Sequence, residues 1–467
     1  MSMAFETLGN ATVVVFEDGL PVLATDPWLV GTCYFGSWAL DHPLSSAQIA
    51  NVQNAEYIWI SHGHPDHLHE ESLALLSRQK KILLPDHYDE DIKSFLIEKG
   101  FDVKVLPYRT WHRISADVRV LCIDNLNQDA VLVIEAGESL ILNLNDSPLC
   151  GDFRFLRRLV RARPKNKTYM LALCSCDADM INVVDEAGSS LAGPPEERKP
   201  GTIWSVARLA DRIGVGNFCC SSSQHLYVRS DSVWANPYRI TFADMRRYWC
   251  RPNVRLIEPF VTVDLDSGAI SGNHPSQKAD ESQITNAAGA DDWTERFNEA
   301  EWRKAEAFIR RFTMVGRYVD FVEFSVGGET RRFDLRDGTS VSKAGLRGIT
   351  FIAPRRSLLS TVERGYLDDL LIGNFMKVRL TNTALYPRFT PLVAKLGGNA
   401  KVYTPLEYRR FMRRYFLRNP LGTLAYRLDI EWSYAVLPWI RQLAERLGVK
   451  RPLKYLYRWA LGDPVRR

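Results

Sequence analysis

Short apolar runs separated by turn residues dominate the first half of the chain. Residues 11–16 and 21–25 read as two strands joined by a turn at 17–20. Residues 55–60 are apolar almost throughout, the pattern of a strand buried on both faces. A helical stretch at 70–77 follows, then a strand at 81–85. A helix from 89 is stopped by Gly100, and a strand covers 102–106. This alternation predicts an α/β layered sheet. Three strands with short turns come next, at 118–123, 130–136 and 139–145. Helix and strand then alternate at 153–162, 169–173, 204–213 and 217–220. The Gly- and Pro-rich stretch 188–201 reads as a loop long enough to cover a site.

The pattern breaks at 264–292, where Ser, Gly, Asn, Asp and Gln predominate, and this stretch reads as a linker. It separates a unit at 1–263 from a second, α+β unit at 293–400. That second unit opens on a helix at 293–312 and holds a hairpin at 321–330. A chain of 467 residues accommodates two or three such domains. With 46% apolar and 25% charged residues it has material for a true core, which excludes a disordered chain. Its eight Cys form no C-x-x-C pair, which excludes a zinc ribbon and a disulfide scaffold and fits a reducing, cytoplasmic setting. No run approaches the roughly 18 apolar residues of a membrane span, and residues 1–6 show no signal-peptide pattern.

Charge adds one feature. The net charge is +5, yet residues 401–467 carry 15 Lys and Arg against five Asp and Glu, so the rest is acidic on balance. This tail also holds twelve aromatic residues. It reads as a helical segment whose long basic side chains either lie outward from a core or rest on an anionic membrane surface. Nucleic acid is the weaker expectation for this segment.

Four of the nine His fall within 62–69, in the run Ser61-His-Gly-His-Pro-Asp-His-Leu-His69. This H-x-H-x-D-H follows a buried strand and opens a helix. Imidazole and carboxylate at this density suit zinc, iron or manganese. The sequence contains no P-loop, no G-x-G-x-x-G and no G-x-S-x-G.

This motif resembles the signature of the metallo-β-lactamase fold superfamily. The likeness covers residues 1 to about 263. Leu8-Gly-Asn-Ala11 is similar to the opening G-H-A of the lactonase and N-acylphosphatidylethanolamine phospholipase D branch, with Asn10 in place of the His. Asp26-Pro-Trp28 is similar to its D-P-W motif, whose Asp supports the metal ligands. The resemblance implies an αββα sandwich with metals at one sheet edge. It implies His62 and His64 on one metal, Asp66, His67 and His225 on the other, and Asp146 bridging them. The third His that the family places on the first metal has no counterpart, and Asp124 is the expected carboxylate substitute. Residues 26–38 are also similar to the CMP-N-acetylneuraminate hydroxylase branch, whose members carry a Rieske domain. No C-x-H…C-x-x-H for such a cluster occurs here.

The expected activity is that of a metallohydrolase acting on an ester, lactone, amide or phosphodiester of a small-molecule or lipid-like substrate. Asp66 would orient or deprotonate the attacking water. A non-haem iron oxygenase is the alternative enzyme. A metal-poor binding protein that kept only the fold is the alternative outside catalysis.

Overall fold

The computed structural model describes residues 2–185, 187–272, 291–335 and 345–449, with five isolated positions up to 463. Two sheets face each other. The first has eight strands in the order Ile270–Gly272, Val261–Asp264, Met3–Gly9, Thr12–Glu17, Leu20–Thr25, Tyr57–Trp59, Lys81–Pro85 and Asp102–Leu106. The second has seven, in the order Arg255–Ile257, Asn217–Ser221, Thr168–Leu173, Ser139–Asn145, Ala130–Ala136, Val118–Asp124 and Trp111–Arg113.

Strand Val118–Asp124 shows why the layers stack as they do. Side chains alternate across a strand. Val118, Val120 and Cys122 therefore enter the core between the sheets, beside Phe5, Val15 and Trp59. Leu121 and Ile123 point the other way, into a second core with Leu156, Ile203 and Met245 of the helices Phe153–Arg161, Pro195–Ile213 and Phe242–Tyr248. The first sheet is covered likewise by Val52, Leu73 and Leu96 of helices Ser46–Asn54, Glu70–Ala74 and Asp91–Glu98. The result is the expected αββα sandwich.

Three differences from the sequence reading have physical causes. The stretch 188–201 is a loop only as far as Pro194, because helix Pro195–Ile213 begins there. Pro195 sits where its missing N–H costs nothing, and Glu196 and Glu197 meet the positive end of the helix dipole. The helix expected from 293 begins at Glu299, where Asn298 and Glu301 form a reciprocal cap. The expected linker opens as a hairpin, with Ile270–Gly272 paired to Val261–Asp264, and positions 273–290 lie outside the described residues.

The C-terminal unit is built on a five-stranded sheet in the order Val183–Val184, Lys377–Thr381, Gly348–Ile352, Phe321–Val326 and Glu329–Asp334. Helices Glu299–Arg310, Arg355–Arg364 and Leu367–Gly373 close its core around Phe308, Leu358 and Leu370. Val183–Val184 comes from the first 263 residues, so the two units share a sheet. Helix Pro405–Arg418 then packs back on the sandwich. Phe411 and Tyr415 are buried there, and Arg414 donates to Asp86 and to the His87 carbonyl at 2.8 and 2.9 Å.

Candidate metal centre

Strand Tyr57–Trp59 runs parallel between Leu20–Thr25 and Lys81–Pro85, so the loops after Thr25 and Trp59 leave the sheet at one edge. Asp26 turns the first of these loops with φ 41°. This is left-handed backbone that Asp adopts more readily than most residues. Its Oδ1 accepts from the Ser61 amide at 2.7 Å, and its Oδ2 lies 3.2 Å from His67 Nδ1. The second loop folds into a turn in which the His67 and Leu68 amides donate to the His64 carbonyl. His69, the fourth histidine of the run, accepts from the Ser72 amide and caps helix Glu70–Ala74. A Cβ on Gly63 would meet only Ile92, at 3.4 Å.

The remaining side chains converge. His62 Nε2 lies 2.8 Å from His64 Nδ1. His67 Nε2 lies 3.4 Å from both Asp66 Oδ2 and Asp146 Oδ2. Both oxygens of Asp66 are held, by Tyr34 Oη at 2.6 Å and Asn10 Nδ2 at 2.7 Å. Tyr34 and Asn10 themselves have φ of 50° and 43°. A bulky residue such as Tyr is rare at positive φ, and such strain collects at functional sites.

The C-terminal unit supplies donors that the sequence reading missed. His64 Nε2 lies 3.0 Å from Asp368 Oδ2. Among the described residues, two groups bring three donor atoms within 4.8 Å of one another: His62, His64 and Asp146, and His64, Asp368 and Asp369. His64 belongs to both. The available signal was the acidic pair in the apolar run Leu367-Asp-Asp-Leu-Leu371, where burial of Asp needs a partner.

The centre's electrostatics follow from its burial. Burial pulls the His62 imidazole well below its usual range, and the neighbouring His67 adds to this. For His67 burial acts downward too, but Asp66 and Asp146 outweigh it and hold the ring well above its usual range. Burial, with Asp368 alongside, pushes the Asp369 carboxyl up to about 8. Lys395 is drawn down by burial, and Asp129 and Asp368 more than restore its charge.

Several polar atoms here are buried with no hydrogen-bond partner: His67 Nε2, Asp146 Oδ1 and Asp368 Oδ1. Buried donors and acceptors are normally paired. Orphaned imidazole and carboxylate atoms around one point fit a divalent cation.

Two cavities flank the centre. One of about 820 Å³ is bordered by Tyr34, Gly63, His69, Arg364 and Asp369. The other, of about 290 Å³, is bordered by Lys395, Arg317, Tyr318, Tyr408 and Tyr426.

Four expected ligands belong to neither of these donor groups: Asp66 and His67, which lie beside Asp146, and His225 and Asp124. His225 stacks on Trp38, with ring centroids 3.4 Å apart, and joins neither group. Its strand pairs with Trp38–Leu40, which holds the ring against that indole. Asp124 lies outside both donor groups. Its Oδ2 accepts from Arg418 Nη1 at 2.5 Å, because helix Pro405–Arg418 lies across the end of its strand. His112 is on the edge strand Trp111–Arg113, near Lys104.

Burial pushes Asp124 up to about 7, with Arg418 opposing. Its carboxyl is therefore protonated in the fold at pH values where the unfolded chain has lost that proton. Stability from this group is full below about pH 4 and falls by about 1.4 kcal/mol per pH unit up to about 7. Asp124→Asn should remove this component, as read by denaturant melts between pH 4.5 and 8 (~3 points suffice to fix the slope). The same pH dependence in the variant and the parent would assign it elsewhere.

No known family profile matches the chain. Among curated proteins, a Mycobacterium tuberculosis protein named for a Rieske 2Fe-2S iron–sulfur cluster is 28% identical over 163 residues, 31% of this chain and 30% of that one. The cytidine monophosphate-N-acetylneuraminic acid hydroxylase of Cricetulus griseus is 28% identical over 129 residues, 26% of this chain and 23% of the hydroxylase. The chain thus matches under a third of the length of these relatives. Similar solved structures include an isothiocyanate hydrolase from Delia radicum gut bacteria, at 15% identity and TM-score 0.38, covering 58% of this chain and 99% of that one. The diiron β-hydroxylase CmlA of Streptomyces venezuelae matches at 15% identity and TM-score 0.32, covering 47% and 44%. The four-layer order, the H-x-H-x-D-H loop after a central strand and the donors gathered at that sheet edge are those of the metallo-β-lactamase fold.

Proposed function

We propose that the chain is a metal-dependent enzyme whose ion is held by His62, His64 and Asp146, with Asp368 orienting His64 through its other ring nitrogen, and that its reaction is hydrolysis of an ester, lactone, amide or phosphodiester. The observation that carries this reading is the meeting of imidazole and carboxylate donors from both units around His64. A bound divalent ion lowers the pKa of water towards 7 and polarises an electrophilic oxygen. The chain does the rest. Tyr34 and Asn10 fix the Asp66 carboxylate, which sets its orientation toward His67. Asp369 borders both the donor groups and the larger cavity, so its carboxyl is suited to passing a proton to a leaving group. Lys395 offers an ammonium to an anionic substrate group, with Tyr318, Tyr408 and Tyr426 beside it for an apolar or aromatic body.

One observation favours a second reading. His62, His64 and Asp146 form a two-His, one-carboxylate group, the donor set of non-haem iron oxygenases. The relative from Cricetulus griseus is named a hydroxylase. Turnover of an ester, lactone, amide and phosphodiester panel by the metal-loaded full chain, with and without oxygen, separates the two. Cleavage unchanged under nitrogen supports hydrolysis. Product that requires oxygen and an added reductant overturns it in favour of oxygenation. Within either reading, Asp368→Asn should weaken metal retention by about 10–100-fold, while Asp124→Asn leaves it unchanged. The reverse order would return the third ligand to Asp124.

A further inference from the structure

The tail carries an apolar face that its own fold leaves open. Helix Pro420–Glu431 continues through the wide turn Trp432–Val436 into Leu437–Arg446. Along it Leu421, Leu424, Leu428, Trp432, Val436, Trp439, Leu443 and Leu447 are all exposed, at 38–76% of their surface. The intervals are three or four residues throughout, so these side chains form one stripe about 40 Å long. Phe416 and Leu417, at 50% and 68%, precede it. A surface helix of a globular domain turns its apolar side inward and its polar side out. Here Gly422, Thr423 and Ala444 are buried, and Tyr426 and Ile430 border the smaller cavity, while the large apolar residues face solvent. Single exposed leucines are ordinary, but a continuous stripe marks an interaction surface.

Charge identifies the occupant. Arg409, Arg410 and Arg413 are exposed on the preceding helix Pro405–Arg418, and Arg427 and Arg446 on the striped run itself, within a tail of net charge +10. A second copy laid tail to tail would set two segments of net charge +10 against each other. An anionic surface would be attracted to them. Trp432 and Trp439 suit the level where headgroups meet acyl chains. Among the described residues no helix is long and apolar enough to cross a membrane, so this one would lie in the interface plane.

We propose that this tail face docks on an anionic membrane surface, with the Leu and Trp stripe at the acyl boundary and the arginines among the headgroups. Docked in this way, the helix brings the wall of the 290 Å³ cavity formed by Tyr426 and Ile430 close to the lipid. The docking does not depend on the metal centre or on the reaction assigned to it.

The test is co-sedimentation of the full chain with phosphatidylcholine vesicles, with and without about one-third phosphatidylglycerol. The chain should pellet with the anionic vesicles at low salt, stay in solution with neutral ones, and be released by about 0.5 M salt. Leu424→Glu/Leu428→Glu, on exposed positions that leave the core intact, should lower partitioning at least about tenfold. Arg409→Gln/Arg410→Gln/Arg413→Gln should lower it about fivefold per residue and flatten the salt response. Circular dichroism checks that each variant is folded. A chain that stays in the supernatant with anionic vesicles overturns the proposal. So does pelleting that the Leu variant leaves unchanged. A concentration-dependent dimer broken by that variant would give the face to a second copy instead.

Discussion

Alanine at His64 is expected to abolish metal retention and, with it, all turnover. His64 is the one donor common to both three-residue groups. Its Nδ1 faces His62 Nε2 at 2.8 Å and its Nε2 faces Asp368 Oδ2 at 3.0 Å. Losing it opens both groups, so the effect should exceed the roughly 10–100-fold that loss of an outer-shell partner costs. His64 is buried and ties the C-terminal unit to the sandwich, so the variant also leaves Asp368 buried without its imidazole. Breaking a buried pair from one side costs about 3–5 kcal/mol. The metal-free variant should therefore unfold at lower denaturant than the metal-free parent, not at the same point as a ligand in an open cleft would. Full metal content in His64→Ala, measured by elemental analysis after gel filtration, would place the centre elsewhere.

The second large effect is expected at Asp26, which no solvent reaches. Alanine there removes the acceptor for the Ser61 amide and the carboxylate beside His67 Nδ1. It also forces a residue with a bare Cβ into φ 41°. An unsatisfied buried N–H costs about 1–3 kcal/mol and left-handed backbone at Ala about 1–2 kcal/mol. The loss should be on the order of 3 kcal/mol, read from the denaturation midpoint. Asn keeps an acceptor and tolerates that backbone, so Asp26→Asn should lose less than about half as much. Equal losses for the two variants would mean that charge toward His67, not the amide contact, dominates.

The H-x-H-x-D-H loop was legible because its donors are neighbours in sequence and its strand is apolar from end to end. The sandwich was legible for a related reason, since alternation within strands such as Val118–Asp124 assigns each side chain to a layer. Met3–Gly9 passed unnoticed as a strand, although it pairs with both Val261–Asp264 and Thr12–Glu17. Its pairing to Val261–Asp264 joins the two ends of the sandwich unit, and no local spacing announces that. Asp368 and Asp369 were hidden for the same reason, lying about 300 residues from His64. The pairing of Asp124 with Arg418 has no local signal, because that arginine arrives from the tail. His225 falls in the expected order along the chain, but motif order carries no information about the Trp38 indole stacked against its ring.

The central claim is that this chain holds a divalent cation on His62, His64 and Asp146, at the edge of the sandwich where Asp368 of the C-terminal unit meets His64. The direct measurement is the metal-to-protein ratio of the full chain, reconstituted separately with zinc, iron(II) or manganese under nitrogen and passed through gel filtration. At least about one ion per chain should be retained for one of these metals, with protons released as the histidines bind. Retention of none of the three would contradict the claim.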